Sequence, residues 1–295
     1  MMSIGTVGNG MVMQATRHLG GRAGRTMRVG LFAATLGLVG APAMASETLE
    51  LDYEIYFGGM HLVSAQARLE MDGDDGYRVV GGARTRGWVN WLYGFKSEST
   101  TVGVVNGADA RPMLHEQVAA WDDGERSIKL TYEDDGKVVF NVTEQRDEDD
   151  DDRFTPLDPA TLDNTIDPVT AFVAMSRRLE AGESCNATFE IFDGKRRYDV
   201  VLTDQAPKVI EPSDFSVFSG EAIGCHLEYE KIGGFWIGEN KYRDTARNRV
   251  IWVGRPIENG PPVPVQMTIE TGFGSLVTHL THVRVGGQEL ALNVD

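Results

Sequence analysis

The chain has 295 residues and a formal charge of −16, from 28 Lys and Arg against 44 Asp and Glu, with 41% hydrophobic residues and two cysteines. That length and apolar content suffice for a packed core and exclude a wholly disordered chain. Nucleic acid and anionic membrane surfaces are disfavoured as partners, because both are bound by extensive clusters of Lys and Arg, whereas the chain beyond its first thirty residues is strongly acidic.

The first 45 residues are a segment apart. They contain Arg17, Arg22, Arg25 and Arg28 and no acid, which leaves −20 on the remainder. Residues 29–40 are apolar, with Leu31, Phe32, Leu36, Leu38 and Val39 among them, but too few for a membrane span of about 20 residues. Ala43-Met44-Ala45 follows. A basic stretch, a short apolar stretch and an Ala-x-Ala site together predict a secretory signal peptide over 1–45, with an uncleaved anchor as the alternative. Met27 stands where such a signal would begin, so residues 1–26 read as an over-extended start. The expected localisation is the periplasm. Residues 46–295 are expected to form a single β-rich domain that does not span a membrane once the signal is removed.

Strands come first in chain order. Leu49, Leu51, Tyr53, Ile55 and Phe57 alternate with Glu50, Asp52, Glu54 and Tyr56, which predicts a half-buried strand over 48–57 that ends at Gly58-Gly59. Others are expected over 60–71 and 77–85. Asp74-Asp75-Gly76, Asp122-Asp123-Gly124 and Asp134-Asp135-Gly136 each stand between β-like segments and read as hairpin turns, the glycine supplying positive φ. A loose calcium-ligand reading of these tripeptides is the minor alternative. The densest aromatic segment is 87–95, with neither clean strand alternation nor the length of a clear helix. Its Trp88, Trp91, Tyr93 and Phe95 are candidate ligand contacts, the alternative being a core plug at one end of the sheet.

Further strands are expected over 97–105, 113–121, 126–133 and 137–143. The acidic run over 144–152 cannot enter a core and reads as a solvated loop. Asp167 as N-cap, Pro168 at the first helical position, and Val169, Phe172, Val173, Ser176 and Leu179 at helical spacing predict one α-helix over about 168–181. Arg177 and Arg178 suit its C-terminal pole and Gly182 its end. Strand patterns resume over 187–192, turn at Asp193-Gly194, and continue over 197–203, 224–231, 250–253, 263–271 and 277–285.

Together these elements make a mainly β chain, a large curved antiparallel sheet or open barrel of about a dozen strands with one helix packed on or in it. In an exported protein Cys185 and Cys225 read as a structural disulfide, with free buried thiols or a redox pair as the alternatives. Lys195, Arg196 and Arg197 set three cations beside a tight turn. They are candidates for contact with an anion or partner, against simple pairing with neighbouring acids. His279 and His282, three apart, are expected on opposite faces of a strand, and no metal or other cofactor is expected. No Gly-x-Ser-x-Gly elbow or phosphate-cradling glycine loop is present to nominate catalytic residues.

Residues 51–59, the segment from Thr161-Leu162-Asp163 to Asp167-Pro168-Val169-Thr170-Ala171, the run Phe192-Asp193-Gly194-Lys195-Arg196-Arg197-Tyr198-Asp199, Cys225, Pro264-Val265 and Gly274 resemble domain of unknown function 3108. That is a family of exported bacterial proteins, and the resemblance covers nearly all of residues 46–295 in order. The run from Phe192 to Asp199 is its most specific piece. The resemblance implies a periplasmic, mostly β protein and brings no activity, cofactor or catalytic residue with it. The leading expectation is a non-enzymatic envelope protein that binds an apolar ligand, such as a lipid or acyl chain, or an envelope protein, within or on the curved sheet. A hydrolase of cell-wall glycan or peptide and a protein-interaction scaffold are the alternatives.

Overall fold

The computed structural model describes residues 48–73, 75–145, 154–237 and 248–292. The expected signal peptide, Asp74 and the acidic run from residue 146 onward lie outside the described residues. In chain order come β1 (Thr48–Phe57), β2 (Met60–Asp72), β3 (Gly76–Thr85), α1 (Gly87–Leu92), β4 (Phe95–Asn106), β5 (Asp109–Trp121), β6 (Gly124–Tyr132) and β7 (Val138–Gln145). Then follow α2 (Pro168–Glu180), β8 (Ala187–Phe192), β9 (Arg197–Ile210), β10 (Gly220–Gly233), β11 (Asn248–Gly254), β12 (Val263–Thr271), β13 (Gly274–Val285) and β14 (Gln288–Ala291).

All fourteen strands belong to one sheet of order β7-β6-β5-β4-β3-β2-β1-β13-β12-β11-β10-β9-β8, with β14 added to β13. Two antiparallel meanders, β1 to β7 and β8 to β13, are joined where β1 pairs β13. Helix α2 makes this sheet curl. Its Val173 and Ala174 pack with Tyr77, Val79, Val105 and Ala110 of one meander. Its Met175 and Leu179 pack with Leu202, Cys225, Ile251 and Val253 of the other. A single helix touches both arms only if the sheet wraps round it, as the right-handed twist of strands allows. The terminal strands then meet. Phe140 of β7 and Phe192 of β8 have ring centroids 5.2 Å apart, and Ile128, Leu130 and Val138 share a core cluster with Phe192. Among the described residues no ladder joins β7 to β8; side chains meet across the seam of an open barrel, and residues 164–166 bridge it, the Asn164 N–H donating to the Gly136 carbonyl and Ile166 bonding Glu190 and Phe192 of β8. Cys185 and Cys225 form a disulfide, with Cα atoms 5.5 Å apart, that ties the segment after α2 to β10.

Several details differ from the sequence reading. Gly76 and Gly124 do not take positive φ; they begin β3 and β6, and of the three Asp-Asp-Gly glycines only Gly136 is left-handed, with φ 87°. Gly124 already pairs with Trp121, so the two aspartates alone make that turn. His279 and His282 share a face, because a bulge opposite Asp52 and Tyr53 pairs them with Glu54 and Asp52. One extra residue reverses the alternation of everything beyond it. Finally, residues 87–92 are helical, and β9 and β10 run to 14 residues each.

Candidate functional site

Register assigns each strand residue to one of two faces, and the face that carries α2 is the concave one. A first row across the strands reads Leu49, Leu69, Val79, Thr101, His115 and Leu130; the helix and its cap cover its middle, Leu69 to His115, and all but Leu69 are buried. The next row reads Leu51, Ala67, Gly81, Ser99, Gln117 and Ile128. The third reads Tyr53, Ala65, Ala83, Ser97, Ala119 and Arg126. Small residues therefore occupy β2 to β4 in the one row (Ala67, Gly81, Ser99) and β2 to β5 in the next (Ala65, Ala83, Ser97, Ala119), and all but Ala119 are half-buried. Side chains this short cannot fill the roughly 10 Å between facing layers, so the rows form a furrow. On the other arm the same face presents Leu276 and Thr278 of β13, Met267 and Ile269 of β12, and Leu227 and Tyr229 of β10. These too are only half-buried.

A buried polar network fixes the helix above the furrow. Asp167 accepts from the backbone of Val169 at 2.9 Å and Thr170 at 3.1 Å, and from the Thr170 hydroxyl at 2.6 Å. Thr101 Oγ1 donates to it at 3.3 Å, and His115 Nδ1 lies 3.3 Å from Asp167 and 2.8 Å from Thr101. The Tyr77 hydroxyl reaches Thr170 Oγ1 at 2.7 Å. Burial by itself pushes the Asp167 carboxyl up, but hydrogen bonds from His115 and Thr170 and the charge of His115 outweigh it and hold the group below its ordinary value. The phenols of Tyr77 and Tyr132 are pushed up by burial and, less strongly, by the negative charge of Asp167. The donors around Asp167 come from β4, β5 and α2 themselves, so this carboxylate serves to dock the helix.

At the far end of the furrow α1 folds over the edge of the concave face. The Thr85 hydroxyl lies 3.0 Å from Asn90 Oδ1 and 3.2 Å from the Tyr93 carbonyl, and accepts from the Phe95 N–H at 3.0 Å. Asp122 takes the Gly94 N–H at 2.7 Å. Held this way, α1 buries no residue. Trp88, Trp91 and Tyr93 are 53%, 84% and 48% exposed, so the segment forms an aromatic rim and no core plug. Phe95 is half-buried against Trp121, ring centroids 5.7 Å apart, and the Arg126 guanidinium lies 5.2 Å above the Trp121 ring.

The other predicted cluster serves the seam. Asp193 accepts from the backbone of Lys195 at 3.0 Å and Arg196 at 2.7 Å, and from Arg196 Nε at 2.8 Å. Lys195 pairs with Glu144 at 3.4 Å and lies 4.4 Å above the Phe154 ring. Arg197 is buried and donates to the Thr161 carbonyl at 2.9 Å, to Glu190 at 2.8 Å and to Asp199. Gly194 has φ 88°, and a Cβ there would sit 2.5 Å from Ile128. The run from Phe192 to Asp199 thus builds the β8–β9 hairpin and docks it on β6.

A groove of about 610 Å³ lies on the convex face, with Asp52, Glu54, Arg84, Lys96, Glu98 and His282 in its lining. Asp52 pairs with His282 at 3.2 Å, Glu54 accepts from Ser64 at 2.6 Å, and Glu98 pairs with Lys96 at 2.7 Å. Glu98 is held below its ordinary pKa by Lys96, the opposite of what a general acid needs. Among the described residues no group of three His, Cys, Asp or Glu side chains is placed to hold a metal, and no helix is long and apolar enough to cross a membrane.

The sequence reading missed the furrow and Arg126. Ala65-x-Ala67, Gly81-x-Ala83 and Ser97-x-Ser99, small residues two apart on successive strands, were the available signal.

The family described as "Protein of unknown function (DUF3108)" matches residues 52–281. Among solved structures, a β-barrel-like protein of domain of unknown function DUF1849 from Brucella abortus is similar. It shares 15% identity and a TM-score of 0.47, over 81% of this chain and 98% of that one. No curated protein matches.

Proposed function

We propose, for a chain that belongs to the DUF3108 family, a non-enzymatic binding role in the cell envelope. Residues 1–45 export it to the periplasm, and the concave face of residues 46–295 takes the acyl chain of a lipid. One observation carries this reading: two rows of small, mostly half-buried residues lie on the same face as a helix that packs against only part of the curled sheet. The interior of a barrel widens with strand number, and one helix lies inside a sheet of fourteen strands. An acyl chain laid in the furrow would bury apolar surface on both arms at about 25 cal/mol per Å². Trp88, Trp91 and Tyr93 stand where a ligand enters, and Trp and Tyr suit an edge with one apolar and one wet side.

Ala83→Trp places a large ring in the furrow without touching the buried row under α2. The test is titration with a neutral fluorescent acyl probe, with far-UV circular dichroism as a check on folding. We expect saturable binding by the parent protein and affinity lowered about tenfold or more in the variant. A parent protein that takes up no probe overturns the reading.

A further inference from the structure

We infer that the furrow's ligand carries an anionic head, the carboxylate of a long-chain fatty acid, seated on Arg126. This rests on the acyl-chain reading above. Arg126 pairs directly with Ala119 and so ends the row of small residues on the same face. From Ala65 on β2 to Arg126 on β6 is four strand spacings, about 19 Å, which gives an extended acyl chain a track across the strands with a cation at its end. The guanidinium is stacked on Trp121, and its Nε is buried with no hydrogen-bond partner among the described residues. Glu144, directly across on β7, lies in register with Arg126 but turns its carboxylate to Lys195 at 3.4 Å.

An inward arginine stacked on a ring, with an orphan donor, is therefore left in a chain of charge −16. Buried donors normally find acceptors, and a ligand oxyanion would supply this one. A carboxylate matches the planar fork of a guanidinium with its two oxygens. A phosphate monoester would bring a second negative charge beside Glu144, which disfavours it.

The experiment is calorimetric titration of the purified protein with oleate, oleyl alcohol and oleoyl lysophosphatidate, repeated on Arg126→Gln, Arg126→Lys and Arg249→Gln. Arg249 is a matched control, stacked 5.1 Å from the Tyr229 ring on the other arm. We expect the parent protein to prefer oleate over the alcohol by about tenfold or more. Arg126→Gln should abolish that preference while alcohol binding persists, Arg126→Lys should keep part of it, and Arg249→Gln should leave it intact. Oleate preference unchanged in Arg126→Gln, or lost in Arg249→Gln, overturns the assignment of the head to Arg126 and leaves the furrow reading standing. Tighter binding of lysophosphatidate than oleate overturns the carboxylate. If the parent protein binds neither oleate nor the alcohol, the furrow reading fails as well.

Discussion

Gly194 and Asp167 show how single residues hold this fold. Gly194 combines a left-handed φ of 88° with an approach that would put a Cβ 2.5 Å from Ile128, so the turn it makes is also the contact that shuts the seam. Gly194→Ala should destabilise the protein by about 1–3 kcal/mol, read by urea denaturation, because strain and overpacking act together. Asp167 caps α2 and meets Thr101 and His115 from the sheet, so Asp167→Asn should cost about 3 kcal/mol in the same assay. Its folded pKa is depressed. The stability it contributes is therefore present above its unfolded value and is lost as pH falls through the folded one. Below about pH 4 the parent protein should lose stability more steeply than Asp167→Asn; equal slopes would show that this carboxyl is not held down. Asp167-Pro168 was legible as a helix start from two adjacent residues and the helical spacing that follows them. His115 and Thr101 were not, since they lie 52 and 66 positions away in sequence.

Elements were read well wherever their signal was local. The period-two strands and the helical spacing of α2 sit within windows of ten residues or so, and the structure returns them with shifted ends. The segment over 87–95 defeated the periodicity because α1 is six residues long and is held by the Thr85 side chain, not by an apolar stripe. As α1 buries nothing, Trp88→Ala and Trp91→Ala should each change stability by no more than about 0.5 kcal/mol while slowing uptake of an acyl probe from vesicles. Unchanged uptake in the double variant would remove the rim from the binding process. The disulfide belongs to this scale as well. It spans 40 residues from the end of α2 to β10, and its loss in Cys185→Ser should cost about 4 kcal/mol on the chain-entropy model. A thermal midpoint insensitive to that substitution would contradict the constraint.

At the scale of the molecule, the run from Phe192 to Asp199 makes the barrel's closing hairpin. Lys195, Arg196 and Arg197 face acids and rings of their own chain, whereas Arg126, unremarked in a plain strand, faces the furrow. Composition could not distinguish these cations, because a side chain's partners depend on which strands the curl brings together. By itself the sequence determined the strands, the helix and its cap, the cysteine pair and the family, all of which are encoded by neighbouring residues or by order along the chain. Only the tertiary structure decided that His279 and His282 share a face, that Phe140 and Phe192 meet across the seam, and that rows of alanine, glycine and serine on one face stay for the most part only half-buried. Each of these depends on register and twist summed over many strands. A small residue marks packed core or open furrow according to what stands opposite it, and residues far apart in sequence supply that opposite wall.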